Sequence, residues 1–144
     1  MLKNIKDTIE KKNGHYPEKI LQFGEGNFLR AFVDWMVDEA NDEGLFKGSV
    51  VVVQPIEQGM VNMINDQDGK YTLVMRGLEN GEKTERSKAV TSVSRGINPF
   101  EDYESYIRLA ESEDLQIIVS NTTEAGISYV AGDRKEDKLP KAFP

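Results

Sequence analysis

The 144-residue sequence contains no cysteine. That absence excludes disulfide bonds and thiolate metal centres, and it is compatible with a reducing compartment. Histidine occurs once, as His15 beside Tyr16 and Pro17 in a polar stretch. A zinc site made of protein ligands, or a nucleophile–histidine–acid triad, would have to recruit that single imidazole from a surface setting. Long apolar runs are also missing. None approaches the roughly 18 residues of a membrane helix, and Met1–Asp7 lacks the apolar stretch of a signal peptide. A cytoplasmic protein without a membrane partner is the expectation. Positive charge is scarce: 18 Lys and Arg face 25 Asp and Glu, a net charge of −7. That balance argues against a nucleic-acid partner, while backbone N–H groups at a helix start still bind an anion. No G-K-[ST] triplet is present, which argues against ATP hydrolysis by a P-loop.

What is present suits one soluble domain, with 38% hydrophobic and 30% charged residues. Residues 2–12 read as a short helix or frayed lead-in. Lys19 to Phe23 is a short apolar run ended by Gly24, a buried strand. From Asn27 the period becomes helical. Phe28, Leu29, Phe32, Trp35, Met36 and Ala40 are expected to form one apolar face, closed by Gly44 as a C-terminal cap. Val50–Val53 is a run of β-branched residues for a strand buried on both faces. Strand, helix and strand together make a βαβ unit. Residues 57–64 suit a short helix closed by Asp66–Gly69, and residues 70–95 an antiparallel excursion with a turn at Glu79-Asn80-Gly81. A helix over about 100–112, opened by Pro99, and a buried strand over Leu115–Val119 follow. The charged stretch from Gly132 to Pro144 reads as loop or linker.

Three stretches are candidates for chemistry. Gly24-x-Gly26 stands where a pyrophosphate needs a tight turn, a backbone without a Cβ and exposed helix-start amides. The third glycine of G-x-G-x-x-G is replaced by Leu29, so the fingerprint is incomplete, and a purely structural turn is the competing reading. Glu25, Asn27 and Phe28 complete the turn, and Arg30 is placed either to reach a phosphate or to be a solvated helix residue. Gln54, at the end of Val50–Val53, offers a ribose a hydrogen bond but no negative charge, so the residues alone leave NAD and NADP open. A polar strand-end residue is the alternative. Ser120, Asn121, Thr122, Thr123 and Glu124 follow the last strand, where doubly wound sheets bind ligands. Helix capping is the alternative there.

The run Gln22–Phe32 closely resembles the start of the long-chain mannitol dehydrogenase family. Its G-x-G-x-F-x-R-A turn is matched by Gly24, Gly26, Phe28, Arg30 and Ala31. Absence of the third glycine is normal in that family. Val52–Pro55, Asp68–Val74 and Ser120–Gly126 are also similar to it. The resemblance implies a partial Rossmann-type doubly wound α/β fold, with NAD as cofactor and Gly24, Glu25, Gly26, Asn27, Phe28, Leu29, Arg30, Gln54, Asn121, Thr122, Thr123 and Glu124 as cofactor-binding residues. It implies NAD-dependent reduction of D-tagaturonate to D-altronate without a metal. Reduction of fructuronate or oxidation of mannitol, and a non-catalytic nucleotide-binding domain, are the alternatives. In that family the catalytic lysine belongs to a helical C-terminal domain, so no catalytic residue is assigned here. Residues 1–144 are expected to be a truncated N-terminal nucleotide-binding domain, with a sugar-acid substrate engaged by the other domain, little cofactor affinity by itself, and a tendency to self-associate.

Overall fold

The computed structural model describes residues 4–13, 15–122 and 131–132. In the described part of the lead-in, Ile5–Asp7 forms a 3₁₀ turn capped by the Asn4 side chain. Strand β1 (Glu18–Phe23) leads through a glycine turn into α1 (Asn27–Leu29). A π-helical segment, Arg30–Asp34, joins α1 to α2 (Trp35–Asp42) without a break. Gly44, at φ 71°, ends α2. The N–H groups of Gly44 and Leu45 donate to the carbonyls of Asn41 and Ala40 at 2.9 and 2.8 Å, closing the last turn as the sequence suggested.

Strand β2 (Ser49–Val53) is buried at every position. It is followed by α3 (Val61–Asp66), then β3 (Tyr71–Glu79) and β4 (Glu82–Val90), paired antiparallel around Asn80–Gly81. Next come β5 (Val93–Ile97), α4 (Tyr103–Ala110) and β6 (Ile117–Ser120). Helix α3 starts later than residue 57 because the preceding loop is organised by side chains described below. Helix α4 starts at Asp102, whose carboxylate accepts from the Ser105 N–H at 3.0 Å, so a capping side chain rather than Pro99 sets its start.

The four strands β5-β2-β1-β6 form one parallel sheet, and β3-β4 a separate two-stranded ribbon. Two boundaries differ from the sequence reading. The antiparallel excursion ends at Val90, because Val93–Ile97 returns to pair with β2. The strand expected to be buried over Leu115–Val119 has β1 as its one neighbour among the described residues, and there Ile117 and Ile118 are 42% and 63% exposed.

Both faces of the sheet are covered. Ile20, Val50, Val52 and Val93 pack with Val37 and Ile64 on one side. Leu21, Val51, Val53 and Ile97 pack with Leu109 on the other. This is the alternation of a strand between two helical layers. Of the residues expected on the buried face of the long helix, Leu29 is buried and Trp35 and Ala40 are half-buried, and the rest face outward. Leu29 and Val37 are buried with Val33 half-buried, whereas Phe28, Phe32 and Met36 are 59%, 50% and 42% exposed. The inward stripe also carries Asp34, Asp38 and Asn41. Those polar groups tolerate burial because partners reach them. Asp38 accepts from the Thr91 N–H and hydroxyl and from Asn13, and Asn41 exchanges two hydrogen bonds with the Gly48 backbone. Counting apolar residues alone therefore misplaces part of the face.

Candidate functional site

The chain runs from β1 outward to β2 and β5 on one side, then returns to place β6 on the other side of β1. In doubly wound sheets such a reversal opens a crevice at the carboxyl ends of the strands. Phe23 pairs with Val53 and with Ser120, so the turn after β1 and the segment after β6 leave the sheet at the same level. Sequence reasoning put its candidates on these two segments and on Gln54, and the topology brings all three to one edge. Thr123 and Glu124 lie outside the described residues.

The two glycines of the turn do different things. Gly24 has φ 108°, a conformation side chains resist, and its N–H donates to the Val53 carbonyl at 2.9 Å. It makes the chain turn off the sheet. Gly26 has an ordinary backbone, φ −65° and ψ 159°. A Cβ there would meet no atom within 4 Å. Neither strain nor packing in the protein requires a glycine at position 26, and the space its side chain would fill lies open over the start of α1. No side chain caps that start, which leaves its first N–H groups available to an anion. Leu29 is buried, 3.8 Å from where a Cβ of Gly24 would stand. Asn27 and Phe28 are exposed.

Arg30 is committed within the turn. Its Nε donates to the Glu25 carbonyl at 2.9 Å and its Nη2 to the Asn27 carboxamide at 2.6 Å, and the guanidinium lies 5.4 Å from the centre of the Tyr71 ring. It braces the turn from inside. Glu25 is buried and accepts from the Met60 N–H at 3.3 Å, tying the turn to the loop after β2. Gln54, also buried, organises that loop. Its amide donates to the carbonyls of Ile56 and Glu57 at 2.8 and 3.0 Å, and its carbonyl accepts from the Val61 N–H at 3.2 Å. Gly59 fits between them: a Cβ there would stand 2.3 Å from Glu25 and 2.5 Å from Gln54. Sequence reasoning passed over Gly59, whose only sign was a glycine in a loop rich in polar residues. Asn121 is exposed, and the Ser120 and Thr122 hydroxyls are 2.9 Å apart.

Beneath the turn lies a buried polar group that the sequence reading also missed. Gln22 donates to the Gly24 carbonyl at 3.1 Å. On the same side Asp34 is fully buried, and burial pushes its carboxyl up to about 7 despite the Gln22 amide, Arg30 and Tyr71 nearby. The Tyr71 hydroxyl donates to the Arg30 carbonyl at 2.6 Å and lies 3.5 Å from Asp34 Oδ2. Burial and the Asp34 charge raise the Tyr71 hydroxyl, so it keeps its proton. The available signal was the Arg30, Asp34, Asp38 spacing along one helical face.

Among the described residues no three His, Asp or Glu side chains are grouped to hold a metal, and no helix is long and apolar enough to cross a membrane. Among the described residues the arrangement presents a turn, an open backbone and an uncapped helix start, features that suit an anion.

The model of the mannitol dehydrogenase Rossmann domain matches residues 18–143. The chain belongs to the mannitol dehydrogenase family. It is 54% identical over 129 residues to an altronate oxidoreductase of Bacillus subtilis (strain 168), and 47% identical over 130 residues to one of Klebsiella pneumoniae subsp. pneumoniae. Each match takes in 90% of this chain and 27% of the relative. The chain thus spans about a quarter of the length of those proteins. Among solved structures, Pseudomonas fluorescens mannitol 2-dehydrogenase in a ternary complex with NAD and D-mannitol superposes with a TM-score of 0.69 at 19% identity, over 80% of this chain and 23% of that one. A substrate-free D-sorbitol dehydrogenase gives 0.65 at 19% identity, over 80% and 24%. This Rossmann domain of the mannitol dehydrogenase family is therefore the α/β fold that the sequence resemblance implied.

Proposed function

We propose that this Rossmann domain binds NAD(H) for an oxidoreductase that reduces D-tagaturonate to D-altronate. The observation that carries the cofactor reading is Gly26, a glycine that the protein's own conformation and packing do not require, open over an uncapped helix start at the switch point of the sheet. Gly26, Asn27 and Phe28 would hold the pyrophosphate on their backbone. Leu29 supports the turn from below, and Gly24, Glu25 and Arg30 keep its shape. Gln54 shapes the neighbouring loop, while Asn121 and Thr122, which follow β6 at the same edge of the sheet, with Thr123 and Glu124 next in sequence, would meet the cofactor from the other side. Bound NADH would supply the hydride. The residues described here bind and orient, and none is placed to move a proton on a sugar acid.

The substrate reading rests on the altronate oxidoreductases being 41–54% identical to this chain, whereas the mannitol and sorbitol enzymes are 19% identical. Residues 1–144 are proposed to be the nucleotide-binding domain alone, with the sugar acid engaged on a further domain of the kind that would fill the rest of the relatives' length. A cytoplasmic setting fits NADH-linked metabolism.

The first test is titration of the domain with NADH and NADPH, followed by nicotinamide fluorescence. Binding in the region of about 1 mM, or about −4 kcal/mol, is expected for one wall of a two-domain crevice. It should be lost in Gly26→Trp with the melting temperature unchanged. Equal binding by Gly26→Trp would refute the pyrophosphate assignment. For the substrate, the protein carrying the domains of its relatives should oxidise NADH with tagaturonate in preference to fructuronate or fructose. The reverse order would shift the assignment to another branch of the family.

A further inference from the structure

Resting on the dinucleotide reading of the Gly24–Arg30 turn, we infer that Tyr71, at the root of the β3–β4 ribbon, and Asp34 are positioning residues that set the shape of this turn according to the protonation of Asp34. Two observations make the case. The π-helical segment begins at Arg30, the residue whose carbonyl accepts from the Tyr71 hydroxyl at 2.6 Å. π-segments are uncommon and occur where a helix is diverted for a purpose. Here a side chain from outside the helix takes hold of its backbone at that start. The same Arg30 stacks on the Tyr71 ring and donates to the Glu25 carbonyl and the Asn27 side chain. Tyr71 therefore grips Arg30 at both backbone and guanidinium, and Arg30 grips the turn.

A hydroxyl has one hydrogen to give. The Tyr71 oxygen lies 2.6 Å from the Arg30 carbonyl and 3.5 Å from Asp34 Oδ2. While the Asp34 carboxyl is neutral, the hydrogen belongs to Arg30. Once ionised, the carboxylate is the stronger acceptor and competes for it. It also draws the Arg30 guanidinium away from Glu25 and Asn27. Among the described residues the groups that act on Asp34 are Gln22 from β1, Arg30 and Asp38 from its own helix and Tyr71 from β3, with Lys88 of β4 held by Asp38 at 3.2 Å. Among the described residues Asp34 Oδ1 is buried without a hydrogen-bond partner. Burial disfavours the ionised carboxyl, whose Oδ1 would stay uncompensated. The neutral carboxyl and the gripped turn thus go together.

The test uses the domain itself with three variants. Tyr71→Phe keeps the ring under Arg30 and removes the hydroxyl. Asp34→Asn keeps the shape and removes the titration. Arg76→Gln, on an exposed ion pair with Glu85, serves as a control on the ribbon. NADH affinity is measured at pH 6 and pH 8.5, alongside hydrogen exchange of the free protein over residues 24–34. The wild type should bind about 3-fold or more weakly at the higher pH, and Asp34→Asn equally at both. Tyr71→Phe should lose roughly 5-fold at pH 6, as expected for one hydrogen bond, and exchange faster over 24–34 while its melting temperature stays within a few degrees. Tyr71→Phe with wild-type exchange over that segment at both pH values would overturn the inference. If the wild type takes up no NADH, the dinucleotide reading fails, and the exchange measurement alone then decides whether the turn is set in this way.

Discussion

At the level of single residues, glycines two positions apart should fail in opposite ways. Gly24 sits at φ 108°, so Gly24→Ala should cost about 1–2 kcal/mol of stability through backbone strain. Gly26→Val should leave the urea midpoint near wild type, because its added carbons enter open space, while abolishing NADH binding. Loss of stability in Gly26→Val would mean that the space is not free. Asp34 gives a prediction for pH. Its carboxyl titrates at about 7 in the folded chain and at its ordinary 3.8 when unfolded. Between those values the folded state holds the extra proton, so this group makes folding less favourable as pH rises from 3.8 to 7, and the penalty is complete above 7. The corresponding free energy is up to about 4 kcal/mol. Asp34→Asn lacks this term. Its stability relative to wild type, from urea unfolding at pH 5 and pH 8, should improve by a few kcal/mol at the higher pH; a constant difference would show that Asp34 ionises normally.

At the level of elements, continuous apolar runs identified β1 and β2, because a strand between two helical layers has no polar face and reads as an unbroken apolar stretch. The glycine turn was legible for a related reason: a strand end and a helix start bracket it in sequence. The long helix was misread in part. Phe28, Phe32 and Met36 recur at helical spacing as strongly as Leu29, Val33 and Val37, and only the polar network around Asp34, Asp38 and Asn41 decides which stripe faces inward. Such a network joins residues 13, 38 and 91, too far apart in sequence for periodicity to report. Among the described residues β6 has one neighbour, β1, and Ile117-Ile118-Val119 alone does not report how many neighbours a strand has. Gly59 belongs to this scale because it lets two loops meet. Gly59→Ala should push Glu25 and Gln54 apart, release Met60 and Val61 from their side-chain acceptors and loosen the loop over residues 55–60. Faster hydrogen exchange there with the sheet still protected is the expected result, and exchange unchanged over 55–60 would show that the loop holds itself.

For the molecule as a whole, apolar exposure is unevenly placed. Phe28 and Phe32 stack with ring centres 5.6 Å apart, and with Met36 they form a continuous stripe along the outside of the long helix. Ile117 and Ile118, on opposite faces of β6, are exposed as well, and β6 is the outermost strand of the sheet among the described residues, on its side away from β5. Single exposed apolar residues are normal, but three in register on one helix face and two on an edge strand present surface that water covers poorly. An open strand edge also offers backbone hydrogen bonds to another chain. The net charge of −7 opposes association, though its reach shrinks to about 8 Å at physiological ionic strength. The domain in isolation should therefore associate reversibly, more strongly in salt than without it, and sedimentation at increasing concentration should show the mean mass rising. Ile118→Lys places a charge on the edge strand, and Phe32→Lys places one in the middle of the helical stripe. If pairing of edges drives association, the first variant should be monomeric and the second should still associate; if burial of the aromatic stripe drives it, the order reverses. A wild-type domain that remains monomeric at high concentration and high salt would mean that neither surface is sticky enough to matter.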